Sequence, residues 1–343
     1  MTSTLKEKTV PSSRPDRKQR LDWTKIGKQY ALVAALIVVF VFFSTYGPTS
    51  DAFPSHANIV TVLGNQTVAL IIGLAAVVPL LANVLDLSIA SSAGLASVVT
   101  AGAITNEQAP LAVAIVLGVM SGAAVGAVNG WLITRFRFDP IIETLAMGML
   151  LTGLCTWYTS GTPISIVGSP DLTNFGSLNW LGVPRLMIVL VPLVLVAWYV
   201  TEHTPFGRRL AAIGSNRNAA SLVGIRVERT VAASLLASGT LAGIAGVLLT
   251  ARAGSADTQT GPSYLFPALA AVFLGMTAIK LGFPNVFGTV LGTFFVAFTV
   301  SGLNIAGTSL WAPNVFNGLS LLVALWVMSS TNLVRRGKKK VPA

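Results

Sequence analysis

The chain has 343 residues, of which 53% are hydrophobic and 10% charged, against about 25% charged in soluble globular chains. With a mean hydropathy of +0.73, it is excluded from the ordinary soluble classes and reads as an all-α polytopic membrane protein. The net charge of +11 does not mark a nucleic-acid partner, because the basic residues collect in the tails and a few loops.

Residues 1–28 form a basic tail carrying Lys6, Lys8, Arg14, Arg17, Lys18, Arg20, Lys25 and Lys28. The apolar run from Tyr30 ends in Ser44-Thr45-Tyr46-Gly47-Pro48 without a small-x-small cleavage site, so it reads as an uncleaved first span. Ten spans of about 17–25 residues are expected, at 29–46, 66–85, 88–105, 110–134, 140–160, 184–201, 229–252, 262–280, 284–305 and 311–330. A second basic tail, 331–343, closes the chain. With the N-terminus inside, 21 of the 23 Lys and Arg residues fall on the cytoplasmic side, leaving Arg185 and Arg252 outside. That bias sets both termini and the 202–229 loop in the cytoplasm. Trp131, Trp157, Trp198, Trp311 and Trp326 fall near span ends, where an indole sits well in the interface.

Spans two and three are separated by Asp86-Leu87-Ser88 alone. So short a connection raises a broken or re-entrant helix within residues 80–95, tolerated where protein encloses it. Asp86 is placed either to cap the helix starting at Ser88 or to line a translocation path. Span four carries Gly118, Gly122, Gly126 and Gly130 on one helical face, and spans seven and nine carry Gly239, Gly243, Gly246 and Gly288, Gly292. Such strips let helices approach closely. Ten spans divide into two halves of five, inverted relative to each other, and the glycine-rich spans of the halves resemble one another faintly. Glu143, in the first turn of span five, is expected to pair with Arg135 or Arg137. Arg252 is expected to pair with Asp257, or to meet a soluble extracytoplasmic partner or a polar solute.

The longest polar interruption is Glu202–Arg229, of 28 residues, with five arginines. Pro205 resists continuation of span six. A first short helix over Arg208–Ile213 is expected to stop at Gly214. Ser215 or Asn216 then caps a second, Arg217–Val223, which Gly224 ends in the left-handed conformation. The residues alone leave two readings open: a helix that docks on a partner through Ala219-Ala220-Ser221 with Leu222, Val223 and Ile225 as anchors, or a basic loop lying on anionic lipid.

No catalytic constellation accompanies these features. His56 and His203 lie in loops on opposite sides, Cys155 is a lone thiol in an apolar run, and no His or Cys pair has metal spacing. Gly275–Lys280 lacks the second glycine and the Ser/Thr of a phosphate-binding loop. The chain is therefore expected to be no enzyme and to hold no metal or cofactor itself. Two carboxylates near the spans are a poor inventory for an ion-coupled secondary transporter.

The stretch Phe206-Gly207-Arg208, Ala212, Gly214, Asn216, Ala219-Ala220, Gly224-Ile225 resembles the cytoplasmic loop of ABC-importer permeases of the ribose/xylose/arabinose type. Asp86-Leu87-Ser88-Ile89 is similar to that family's Asp-Leu-Ser-Val element. Ala268–Gly275, Phe287–Gly292 and Ser301-Gly302-Leu303-Asn304 are similar to its C-terminal half. The resemblance spans roughly residues 58–328. It implies a transmembrane permease domain over 29–330, with a coupling loop at 202–228 that docks on a cytoplasmic ABC ATPase holding the ATP and magnesium. It further implies a second permease chain, identical or not, and an extracytoplasmic solute-binding protein delivering a sugar-like solute. Asp86, Ser88 and Asn304 become candidates for the path, and Arg252 and Asp257 candidates for contact with the binding protein. Branched-chain amino acids are the alternative solute class.

Overall fold

The computed structural model describes residues 23–166, 169–309 and 311–337. The basic residues from Lys6 to Arg20 and from Lys338 to Lys340 lie outside them. In chain order the helices are α1 (Trp23–Thr45), α2 (His56–Leu80), α3 (Ile89–Thr105), α4 (Leu111–Arg135), α5 (Pro140–Thr159), α6 (Pro170–Ser177), α7 (Met187–His203), α8 (Pro205–Ser215), α9 (Arg217–Leu222), α10 (Val227–Ala253), α11 (Thr260–Ser263), α12 (Leu265–Gly275), α13 (Val286–Ile305) and α14 (Trp311–Gly337). Four two-residue strands, β1 (Ile164–Ser165), β2 (Asn179–Trp180), β3 (Val183–Pro184) and β4 (Ser255–Ala256), form the antiparallel pairs β1–β4 and β2–β3. They gather at one end of the bundle, and α8 and α9 form an elbow at the other.

The all-α expectation holds. Five helices, α2, α4, α5, α10 and α13, are each long and apolar enough to cross a bilayer. The pair α7–α8, bent by 64°, makes a sixth if taken as one span. Gln29–Thr45, Ile89–Thr105, Thr260–Gly275 and Trp311–Val327 are shorter apolar helices.

Helix α1 starts six residues before the expected first span and α14 runs seven beyond the expected tenth, and the second and eighth spans differ in ways that bear on the packing. The second starts at His56 rather than residue 66 and ends at Leu80 rather than 85. Its early polar residues are satisfied by protein: Ser55 Oγ accepts from Asn58 N, Asn58 Nδ2 donates to Phe53 O, and Asn58 Oδ1 accepts from Ser301 Oγ. At its other end Pro79, which has no N–H to give, lies in the last turn. The eighth is broken at Tyr264 and stops at Gly275. An irregular stretch with Ile279 and Gly282 at positive φ follows, before Asn285 Oδ1 caps α13 by accepting from Gly288 N.

Helix α10 is the hub, packed against α2, α3 and α4. The glycine strip sits where it was expected. A Cβ at Gly122 would lie 2.5 Å from Gly239 O and 2.6 Å from Gly243 Cα, and Gly126 and Gly130 likewise abut the α10 backbone. Gly118 instead faces Thr100 and Val247. Helix neighbours repeat between the halves: α4 on α10 and α13 on α2, α3 on α10 and α12 on α2, α3 on α4 and α12 on α13, α5 on α3 and α14 on α12. The first helix of each half departs from this exchange, since α1 packs on α13 whereas α7 packs on α2.

Gly122→Ala is expected to destabilise the purified protein by about 2 kcal/mol, because two backbones must separate to admit the methyl. Gly153→Ala on α5, where nothing lies within 4 Å of the added Cβ, leaves the melting temperature unchanged or slightly raised. Equal melting temperatures for the two variants would contradict backbone-to-backbone packing of α4 on α10.

Candidate functional site

The elbow is built by local chemistry. Thr204 Oγ1 accepts from Gly207 N at the start of α8, and Pro205 occupies the first turn. Gly207 allows α8 to fold against the end of α7, since a Cβ there would overlap Thr201 O. Asn216 Oδ1 accepts from Ala219 N at 3.0 Å to cap α9, and Gly224 ends the turn at φ +83°. Both caps are those expected from the sequence.

Three details differ. Helix α8 runs through Gly214 to Ser215. Gly214 is a contact point instead of a stop: a Cβ there would collide with Leu81 O. Ala220, expected on an exposed face, is buried in a cluster with Leu210, Ile213, Val78, Ala82, Val84, Ile133, Val227, Val231 and Leu235. Phe206 and Ile225 pack against the same cluster. What the elbow presents outward is Leu222 and Val223, 87% and 78% exposed, beside exposed Asn216, Arg217 and Ala219. Arg208 points back, its Nη1 donating to His203 O at 3.2 Å.

The elbow therefore grips a second feature, the non-helical stretch Leu81–Ser88 between α2 and α3. It turns through Asn83 at φ +59°. Asp86, Ser88, Asn129 on α4, Thr144 on α5 and Ser238 on α10 are all at most 2% exposed. Asp86 Oδ1 accepts from Ser88 N at 2.9 Å and from Ser88 Oγ at 2.7 Å, and Asp86 Oδ2 from Ser238 Oγ at 3.3 Å. Asn129 Nδ2 donates to Ser88 Oγ at 2.8 Å, and Leu87 N donates to Thr144 Oγ1 at 3.1 Å. Asp86 thus shapes the entry to α3 and bonds across to α10, while Asn129 on Ser88 and Thr144 on Leu87 N bring α4 and α5 to the same bend. Asn129, Thr144 and Ser238 were not singled out from sequence.

Glu143 corrects an expectation. It makes no ion pair with Arg135 or Arg137 among the described residues. Asp139 already caps α5, its Oδ1 accepting from Ile141 N and Ile142 N. Glu143 is turned inward, 7% exposed, with both carboxylate oxygens lacking hydrogen-bond partners among the described residues. It lines an otherwise largely apolar groove of about 500 Å³ between α4 and α5, with Leu132, Phe138, Ile142 and Met147.

At the strand end, Arg252 and Asp257 do not pair. Arg252 donates from Nε and Nη2 to Asn65 Oδ1 at 3.0 and 2.9 Å and from Nη1 to Gly176 O at 3.2 Å. It thereby joins α10, α2 and α6. Asp257 shapes the entry to α11, accepting from Gln259 N at 2.7 Å, Thr260 N at 2.6 Å and Thr260 Oγ1. Burial alone would raise its carboxyl, but the Thr260 and Gln259 bonds hold it below the ordinary 3.8. Asn304 is exposed in the last turn of α13, and no hydrogen bond joins it to Asp86 or Ser88 among the described residues. No group of three His, Cys, Asp or Glu side chains comes together to hold a metal among the described residues.

Comparison with known proteins places this geometry. The family model described as branched-chain amino acid transport system / permease component matches residues 58–325. Ribose import permease protein RbsC of Bacillus subtilis (strain 168) is 32% identical over 302 residues, covering 88% of this chain and 91% of that protein. D-allose transport system permease protein AlsC of Escherichia coli (strain K12) is 28% identical over 326 residues, covering 95% and 98%. Xylose transport system permease protein XylH of the same strain is 26% identical over 362 aligned positions, covering 88% and 92%. No solved structure matches the chain.

A buried carboxylate without donors costs stability. Glu143→Met is therefore expected to raise the stability of the purified protein by about 1–2 kcal/mol. Asp86→Ala, which strips Ser88 and Ser238 of their acceptor, lowers it by about 3 kcal/mol, and Asp86→Asn by less. Thermal unfolding of the three variants decides: a lower melting temperature for Glu143→Met would show that the carboxylate has a partner.

Proposed function

The chain belongs to the family of branched-chain amino acid transport system / permease components, and on that basis we propose that it is the membrane-spanning permease subunit of a bacterial ATP-driven importer for a sugar or sugar-like polar solute. The curated relatives carry the solute class, being named for ribose, allose and xylose. That favours a sugar over the amino-acid alternative and over ion-coupled transport. The finer picture is of ten crossings in two inverted halves, with the elbow and both termini on the cytoplasmic side, as the distribution of Lys and Arg supports. A second permease chain completes the path. A cytoplasmic ATPase supplies ATP hydrolysis, and an extracytoplasmic binding protein delivers solute at the strand end, near Arg252 and Asp257.

The observation that carries the coupling role is the two-sided elbow. One side shows Leu222 and Val223 to solvent, two large apolar side chains that a monomeric surface has no reason to pair at a helix end. The other side is bonded into the chain through Gly214 against Leu81 and through the cluster of Leu210, Ile213 and Ala220 with Val78, Ala82 and Val84. A push on the outer side therefore passes to the Leu81–Ser88 break without a flexible joint between. From there Asp86, Ser88, Asn129 and Ser238 carry it to α3, α4 and α10. ATP-driven closure of the partner would thus reorient the helices that open the path to one side or the other.

Leu222→Glu/Val223→Glu is expected to cut co-purification of the ATPase and solute uptake by about tenfold or more. Both side chains are exposed, so the permease should still fold and melt at the wild-type temperature. Retained ATPase binding in this variant would refute the docking role of α9. Uptake that persists without ATP and collapses with the ion gradient would refute the importer class itself.

A further inference from the structure

Arg209 on α8 and Arg226 and Arg229 at the start of α10 line one open cavity of about 680 Å³, with Phe206, Val223 and Ile225 on its rim. None of the three guanidinium groups makes an ion pair or a hydrogen bond with the described residues, in contrast to Arg208 and Arg252, which do. Three like charges sharing a cavity repel one another unless an anion sits among them. Planar guanidinium forks suit phosphate oxygens, which they meet with two parallel hydrogen bonds.

The wall of the cavity identifies the kind of anion. It continues along α10 through Thr230 and Ala233. One and two turns further lie exposed Leu236 and half-exposed Thr240. Residues 226, 229, 233, 236 and 240 follow helical spacing on one face, which beyond the arginines carries Ala233 and Leu236 before it reaches Thr240. A free phosphate would use the arginines and leave the stripe bare. A partner's acidic side chain would reach the arginines past Val223 on the rim and would likewise leave the stripe bare. A phospholipid uses both parts, its phosphate among the arginines and an acyl chain along Ala233 and Leu236.

We infer that this cavity is a binding site for an anionic phospholipid, the phosphate held by Arg209, Arg226 and Arg229. Since Arg209 lies on the elbow and the other two lie on α10, the bound lipid bridges the elbow to the hub helix. Elbow movement then depends on membrane composition.

The test compares the full importer complex, purified in mild detergent after incubation with vesicles of phosphatidylglycerol and phosphatidylethanolamine in equal amounts. Retained lipid is measured by native mass spectrometry. Wild type is expected to retain phosphatidylglycerol in preference to phosphatidylethanolamine. Arg209→Gln/Arg226→Gln/Arg229→Gln loses at least about tenfold of it, and the single variants Arg226→Gln and Arg229→Gln about fivefold each. Arg135→Gln/Arg137→Gln/Lys280→Gln removes the same charge outside the cavity and keeps the lipid. Equal loss in both triple variants would reduce the site to general surface charge and overturn the proposal. Unchanged lipid in the cavity variant with loss of the ATPase or of the second permease chain would assign the cavity to that protein and overturn it equally.

Discussion

A polypeptide inside a bilayer finds no water for its backbone, so it may leave the helix only where protein supplies the missing partners. The Leu81–Ser88 stretch is one place where this chain leaves the helix, and several helices are arranged around it. Ala82 N and Val84 N both turn back to Pro79 O, Leu87 N reaches Thr144, and Ser88 N reaches Asp86. Each of the helices α3, α4, α5 and α10 contributes a polar or glycine position to that end. Remove the enclosure and the break becomes an unsatisfied backbone in lipid, which costs several kcal/mol for each group.

Enclosure needs close packing, and close packing needs small residues. The strip from Gly122 to Gly130 brings α4 against the α10 backbone, which places Asn129 and Ser238 beside the same bend. Gly214 repeats the device from outside, seating α8 on the Leu81 carbonyl. Without hydrophobic drive between helices in lipid, contact area and buried hydrogen bonds must hold them, and both are concentrated here. The elbow is stiff for the same reason that the break is stable.

Features of short range were legible in the sequence. The Asn216 cap, the Gly224 turn, the Asp86–Ser88 bend and the glycine strip follow from neighbours a few residues apart, and all four stand in the structure. Long-range pairings were not. Ser238 meets Asp86 across 152 positions, Thr144 meets Leu87 across 57, and Asn65 meets Arg252 across 187. A single Ser, Thr or Asn in an apolar run announces no partner, so nearby charges were matched instead, Arg252 with Asp257 and Glu143 with Arg135 or Arg137. Neither pair forms, because the helix-start amides take Asp257 and Asp139. Asp257 and Asp139 spend their oxygens on helix starts, and Glu143, one turn into α5, is left facing inward. Span ends were misplaced for a related reason: Asn58 and Asn65 look like loop residues until their partners on α13 and α10 are known.

One device occurs twice in the chain. Asp86 bends the chain into α3, and Asp257 bends it into α11 and α12, each by accepting from an amide two residues on. These entries meet, since Gly94 on α3 packs against Gly261 on α11. What differs is the company each aspartate keeps. Asp86 is sealed among four helices and answers to the elbow through Leu81. Asp257 is partly open, beside the β1–β4 pair and the Arg252 bridge. Under the proposed function the same turn thus serves two ends with different duties. The sealed copy transmits force from a partner that pushes, and the open copy stays within reach of a partner that delivers. Under that reading one kind of turn takes two duties by what is packed against each occurrence, with no change in the turn itself.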